Sequence, residues 1–218
     1  MKTRDRLPNE RDLSVAFGVS RGTLREGLRT LEALGVIEIR PGSAGGIFVS
    51  EPDGDQVGSA LEALLRFRKV TVDELSEFRV SFESETARWD AARADEDDIR
   101  RLNAIVARVL AAAQADVPWK TLVDLDIAFH EAIAYASKNQ VRVAIMLGIH
   151  RALQQASISI ADYASPAVRR AIGLELKGIA AAVRAHDERL AASRMRRHVK
   201  KFGELERAAL ASANGKAS

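Results

Sequence analysis

Apolar residues recur at helical spacing along nearly the whole chain, and one short stretch alternates instead. Leu13, Ala16 and Phe17 make one stripe, and Leu24, Leu28, Leu31 and Leu34 make a second. Both follow the three- and four-residue steps of half-buried helices. Gly18 after the first stripe and Gly35 after the second are positions for left-handed helix ends. Asn9 predicts an N-cap for the first helix, and Ser20 predicts one for the second that accepts from the Thr23 amide. Val36 to Arg40 and Ile47 to Val49 then alternate like strands around Pro41-Gly42-Ser43-Ala44-Gly45-Gly46. The expected order is helix, tight turn, helix, two-stranded wing.

Past Glu51-Pro52-Asp53-Gly54, a polar junction, the pattern is helical. A first helix is expected over 55–67, with Val57, Leu61, Leu64 and Leu65 apolar. Thr71 and Glu74 form a capping box that opens a long helix carrying Leu75, Phe78, Phe82 and Trp89. Asp95 to Asp98 place negative charge where the next helix begins. Pro118 opens a helix to about Ala136, and Asn139 caps residues 140–163. Ser165-Pro166 starts a helix to Ala185, and His186-Asp187 turns into a last one ending near Ala211, with Asn214 onward a frayed tail. The expected fold is mainly α: a winged helix-turn-helix head, then an all-α antiparallel bundle of six or seven helices able to hold a pocket. The boundaries fall at 1–51 for the head, 52–70 for a linker with its connecting helix, and 71–213 for the bundle.

Composition narrows the chemistry. There is no cysteine, so no disulfide or thiolate chemistry, and 47% hydrophobic content with 5% aromatics suits packed helices. The sequence holds no run of eighteen apolar residues and opens on no signal peptide, so the cytoplasm is the expected compartment. A net charge of +3 does not by itself point to nucleic acid. Placement does. Arg21, Arg25 and Arg29 recur every fourth residue on a face away from the leucines. A glycine turn that sets such a helix at a steep angle lets its N-terminal end enter the major groove of DNA. The plainer alternative is a helical hairpin with a solvated arginine face.

Leu7 to Leu13, the Val19-Ser20-Arg21 turn, Leu24-Arg25-Glu26 and Gly35-Val36-Ile37 resemble the winged helix-turn-helix of GntR-family bacterial transcription regulators. The resemblance implies DNA contacts from Arg11, Ser20, Arg21, Thr23, Arg25 and Gly42. In it, Arg11 and Arg21 mainly hold phosphate or reach base edges, and Arg25 reads a base. Members usually have a helix before the Leu-Pro motif, so this first helix is missing from the expected fold and a start upstream of Met1 is expected. Asp73 to Arg79 with Glu83, Asp126 to His130, Ser137-Lys138-Asn139 and Met195 to His198 resemble the FCD effector domain of the FadR-type branch. That implies a regulator, in expectation a repressor, binding a pseudo-palindromic operator as a homodimer and answering to a small carboxylate or acyl-thioester effector.

Asp126 and His130, four apart, share a helix face and can converge on a divalent metal such as zinc. They can equally form a polar pair that binds none. The resemblance adds His198 as a ligand and expects another histidine where this chain has Leu176. Arg79, four before Glu83, is expected in an intrahelical ion pair, with an anionic effector as its alternative partner. His150 and His186 read as surface or turn residues. Ser157, Ser159 and Tyr163 are candidates to line the pocket, and Arg194, Arg196, Arg197, Lys200 and Lys201 read as a solvated face. The second functional reading is a metal-dependent hydrolase on Asp126, His130 and His198, with Glu131 or Glu175 as base. No cofactor fingerprint or nucleophile elbow supports it.

Overall fold

The computed structural model describes residues 4–42, 45–50, 54–115, 117–158 and 165–215. The chain forms two compact units, Met1–Val57 and Gly58–Ser218.

The first unit contains α1 (Glu10–Phe17), α2 (Arg21–Ala33), β1 (Ile37–Arg40) and β2 (Gly46–Val49). The local signals act as read. Asn9 accepts from the Asp12 amide at 3.0 Å, and Ser20 accepts from the Thr23 amide at 3.1 Å. Gly18 ends α1 at φ +65°, a left-handed position that a side chain would strain. β1 and β2 pair antiparallel with Ile37 opposite Val49 and Arg40 opposite Gly46. The chain before α1 adds a further ribbon, which alternation did not reveal. Arg4 N donates to Val49 O and Leu7 N to Ile47 O, both at 2.8 Å. Arg6 then reaches the Gly45 carbonyl at 2.7 Å.

Leu13, Leu24, Leu28, Ile37 and Ile47 form this unit's core. Two expectations fail here. Phe17 is 67% exposed, and Leu31 and Leu34 are 41% and 57% exposed. One short helix and a hairpin make a thin core, and enclosing the rest of the leucine stripe takes another layer.

α3 (Gly54–Arg68) begins in the first unit, and the described elements of the second are all helices: the rest of α3, α4 (Val72–Arg93), α5 (Glu96–Gln114), α6 (Trp119–Ala136), α7 (Gln140–Ile158), α8 (Pro166–Arg184) and α9 (Glu188–Gly215). Thr71 and Glu74 form the capping box, and Asp95 with Asp98 forms a second. Ser165 caps α8 with Pro166 in its first turn. The last helix outruns the expected end near Ala211, and Asn214 and Gly215 complete it instead of fraying. α4 lies along α9, α6 packs on α4, α5 and α7, and α8 packs between α5 and α9. Leu102, Leu122, Phe129, Ile133, Leu176, Ile179 and Met195 fill the centre at under 2% exposure. Helices approach closely where a side chain is missing. A Cβ on Gly203 of α9 would run into the Ser76 hydroxyl of α4, and one on Gly173 would meet Leu110 Cδ2 at 2.9 Å.

Asp90 sits in α4 between Ala87, Ala91 and Ala94, fully buried, and neither carboxylate oxygen has a hydrogen-bond partner. Burial, then the nearby Asp98, pushes its carboxyl up to about 8. The folded chain therefore holds a proton that the unfolded chain releases. That contribution is present below the ordinary carboxylate range and lost as pH climbs towards 8. Asp90→Asn keeps the shape and removes the titration. Urea unfolding should show the variant gaining over the parent by about 1.4 kcal/mol per pH unit between roughly pH 4 and 8. Parallel pH profiles for the two proteins would show that Asp90 does not titrate this way.

Candidate functional site

Two places carry chemistry, one in each unit. In the first unit, Ser20, Arg21, Thr23 and Arg25 stand at the start of α2, all exposed, as are Arg11 on α1 and Gly42 at the wing. The Ser20 and Thr23 hydroxyls lie 2.9 Å apart, which fixes the first turn. Arg25 Nε pairs with Glu10 Oε2 across the two helices at 2.9 Å, with side chains 65% and 36% exposed. A pair that open holds weakly, so another anion can compete for the guanidinium. Arg40 stacks its guanidinium 4.6 Å from the Phe48 ring centre and pairs with Glu38 at 2.7 Å. Cationic groups thus sit on both α2 and the wing.

In the second unit, five helices bring their ionisable residues to one buried centre. α4 supplies Arg79 and Glu83, α6 supplies Asp126 and His130, α7 supplies His150, α8 supplies Glu175, and α9 supplies His198. Arg79 Nε donates to Glu83 Oε1 at 2.7 Å, the intrahelical pair expected of their spacing, with both side chains buried. Glu83 Oε2 lies 2.5 Å from His130 Nδ1. The other nitrogen of that ring, Nε2, is 3.6 Å from Asp126 Oδ2. His198 mirrors it, with Nδ1 3.0 Å from Glu175 Oε2 and Nε2 3.3 Å from Asp126 Oδ1. Each imidazole therefore has a carboxylate behind it and turns Nε2 towards the two oxygens of one aspartate.

The charges follow from this wiring. Burial opposes ionising Glu83, yet the Arg79 guanidinium and His130 hold its carboxyl well below the usual range. Asp126 is likewise held low against burial by His198 and His130. Burial also works against a charged His198, but Asp126 and Glu175 raise its pKa to about 9. His150 goes the other way: burial, helped by His130 and Arg79, lowers it to about 3, so the ring is neutral.

The donor set fits a divalent cation. Asp126 Oδ1 and Oδ2 face His198 Nε2 and His130 Nε2 at 3.3 and 3.6 Å, all buried, so donor atoms from three residues converge on one point. One carboxylate and two imidazoles with Nε2 convergent are zinc-type ligands. A carboxylate behind each ring is the support that fixes a ligating histidine. Glu83, His130 and His150 form a second grouping of the same composition. Arg79 already neutralises Glu83 there, which leaves the Asp126 side the better cation site.

His150 is the main correction to the sequence reading. It was expected at a surface or turn and is 2% exposed, with Nε2 4.0 Å from Glu83 Oε1. It lies on the stripe of Val143 and Met146, so a histidine on an apolar helix face was the available signal. His186 does sit at a turn, its Nδ1 2.8 Å from the Ala91 carbonyl. Leu176 is fully buried in the core. The basic face of α9 is not simply solvated: Arg194 donates to the Gly178 carbonyl and Lys201 pairs with Glu175. Ser159 and Tyr163 lie outside the described residues, as does the Ser157 side chain. Glu83 and Glu175, read as an ion-pair partner and a possible base, prove to brace the two histidines.

Comparison with known proteins agrees with both halves. Residues 1–49 match the bacterial regulatory proteins of the gntR family, and residues 74–201 match the FCD domain. The transcriptional regulator LutR of Bacillus subtilis is 31% identical over 141 residues, covering 65% of this chain and 62% of its own length. The Glc operon transcriptional activator of Escherichia coli K12 is 34% identical over 145 residues, covering 66% and 56%. The chain thus spans under two thirds of these relatives' lengths. A solved structure, GntR of Streptococcus agalactiae, shares the fold with a TM-score of 0.73 at 24% identity, over 93% of this chain and 90% of that one. Among the described residues no helix is long and apolar enough to cross a membrane. These relatives are regulators rather than enzymes, and the chain belongs to the gntR family of bacterial regulatory proteins, in the group whose second domain is FCD.

Proposed function

We propose that the chain is a DNA-binding transcriptional regulator of the FadR-type branch, a repressor in the cytoplasm, governed by a small carboxylate or acyl-thioester effector. Residues 1–51 bind operator, 52–70 connect, and 71–213 bind effector and dimerise. The observation that carries this reading is the capped, exposed start of α2, with Ser20, Arg21, Thr23 and Arg25 on it and Arg11 and Gly42 exposed in the same unit. One short helix makes few base contacts, and a homodimer on a pseudo-palindromic operator doubles them. Selection of bound duplexes from a random pool, then fluorescence anisotropy at fixed salt, tests it. Equal, salt-sensitive affinity for every duplex would end the reading.

In the effector domain, Asp126, His130 and His198 hold a divalent cation, zinc or similar, braced by Glu83 and Glu175. When bound, the cation offers an electrophilic centre to an effector carboxylate. Arg79 stays with Glu83 and contributes by charge rather than by direct contact. Regulation requires the effector to favour one arrangement of the protein over the other, since equal affinity shifts nothing. Metal analysis after dialysis should find about one equivalent of zinc in the parent protein and much less in Asp126→Ala, which lacks a direct ligand. Glu175→Gln, which removes the brace behind His198 and also the partner of Lys201, should lower metal affinity by about 10–100-fold and fall between them. Full zinc occupancy in Asp126→Ala would remove the site from the proposal.

A further inference from the structure

The ribbon of the first unit has two unlike faces. Antiparallel pairing sets Glu38 opposite Phe48 and Arg40 opposite Gly46, and an isolated bridge sets Arg6 opposite Phe48. Residues directly opposite share a face, so Arg6, Phe48, Glu38 and Arg40 stand together across β1, β2 and the segment before α1. Ile37 and Ile47 take the other face and are buried in the core. Phe48 is therefore an aromatic ring on the side away from the core, and it is only half-buried. Charge lies over it: the Arg40 guanidinium is 4.6 Å from the ring centre and that of Arg6 is 5.9 Å away. Gly46 keeps room for Arg6, since a Cβ there would stand 2.9 Å from its Nε.

We propose that Arg6 and Arg40 are a further pair of phosphate contacts to duplex DNA, held against the Phe48 ring beside the wing tip. The inference rests on reading the first unit as a DNA-binding head, and it adds two residues from outside α1, α2 and the tip. Three observations carry it. Each guanidinium is aimed by one hydrogen bond: Arg6 Nη2 donates to the Gly45 carbonyl and Arg40 Nη2 to Glu38 Oε2, both at 2.7 Å. A planar fork so held keeps donors for a second acceptor, and a phosphate can take them two at a time. The Gly45 amide in turn donates to the Gly42 carbonyl at 3.0 Å, so Arg6 is joined through one residue to the glycine assigned to DNA in that reading. Glu38, the acid on this face, pairs with Arg40 in the open, both side chains 53% exposed. So exposed a pair is weak, and a phosphate can displace the carboxylate.

The test uses the full chain and fluorescence anisotropy on the tightest duplex from the random pool, remade with one phosphate at a time as an uncharged methylphosphonate. Arg6→Ala and Arg40→Ala should each weaken that duplex about tenfold or more at low salt, and flatten the salt dependence by about one per subunit. Arg6→Lys keeps the charge and loses the fork, so it should fall between the parent and Arg6→Ala. Glu38→Gln frees Arg40 and should tighten binding about two- to fivefold, a gain that should vanish when combined with Arg40→Ala. At the phosphate Arg6 holds, the parent should lose affinity to the neutral group, while Arg6→Ala loses nothing further there and stays sensitive elsewhere. Parent-like affinity and salt slope in both alanine variants would overturn the proposal. So would variants that weaken yet feel every phosphate the parent feels, because the two arginines would then only shape the wing. Urea unfolding checks that each variant is folded, and should an alanine variant unfold, the presence or absence of the Glu38→Gln gain decides. If the pool yields no preferred duplex the regulator reading falls, while salt slopes on an unrelated duplex still decide this one.

Discussion

Arg25→Ala is expected to cost the homodimer roughly 2–6 kcal/mol of operator affinity, about thirty-fold to twenty-five-thousand-fold. A guanidinium reading a guanine edge is worth about 1–3 kcal/mol, and each half-site loses one. Among the described residues Arg25 is held by the open pair with Glu10, which can be given up to a base. The loss should be selective: affinity for unrelated duplexes should fall little, collapsing the ratio between operator and random DNA. Arg21→Ala, if Arg21 holds phosphate rather than a base edge, should weaken all duplexes alike and flatten the salt dependence by about one per subunit. Anisotropy titrations at several salt concentrations separate the two signatures. Unchanged discrimination in Arg25→Ala would remove Arg25 from base reading.

The second large effect lies in the buried centre. Arg79→Met is expected to destabilise the chain by about 3–5 kcal/mol, because Glu83 would then be a buried charge without its cation. Arg79→Met with Glu83→Gln should recover most of that loss, since a buried pair removed together costs far less than one partner removed alone. Urea unfolding of parent, single and double variants measures it. Equal loss in the single and double variants would show that packing of the Arg79 stem, not its charge, matters there.

How much of this could be read from sequence tracks how local each feature is. Asn9, Ser20, Thr71, Asp95 and Ser165 cap helices within four residues of themselves, and each does so in the fold. The Arg79–Glu83 pair was legible for the same reason, being one turn apart. The bracing of His130 by Glu83 and of His198 by Glu175 was not, since each pair joins different helices and depends on their rotation. The burial of His150 depends on the neighbours of its helix, which one segment does not carry: α7 turns the Val143–Met146 face inward and takes the imidazole with it. Phe17, Leu31 and Leu34 show the converse, for periodicity marks which residues form a stripe and is silent on whether anything covers it. The ribbon from Arg4 to Leu7 has no alternation to betray it, and its strand-like bonds exist only because β2 is alongside.

The contact between Gly203 and Ser76 has a consequence for how such a protein can change over generations. α4 carries Arg79 and Glu83, and α9 carries His198 and Phe202, so both sides of the buried centre depend on how near these two helices lie. A single methyl at position 203 would turn the Ser76 hydroxyl aside and sit 3.1 Å from its Cβ, so the two helices would have to give by a few tenths of an ångström there. A lineage could shift its buried centre by that route while an inventory of its side chains there still looked complete. The reverse also follows: chains with a larger residue at 203 should show a smaller one at 76.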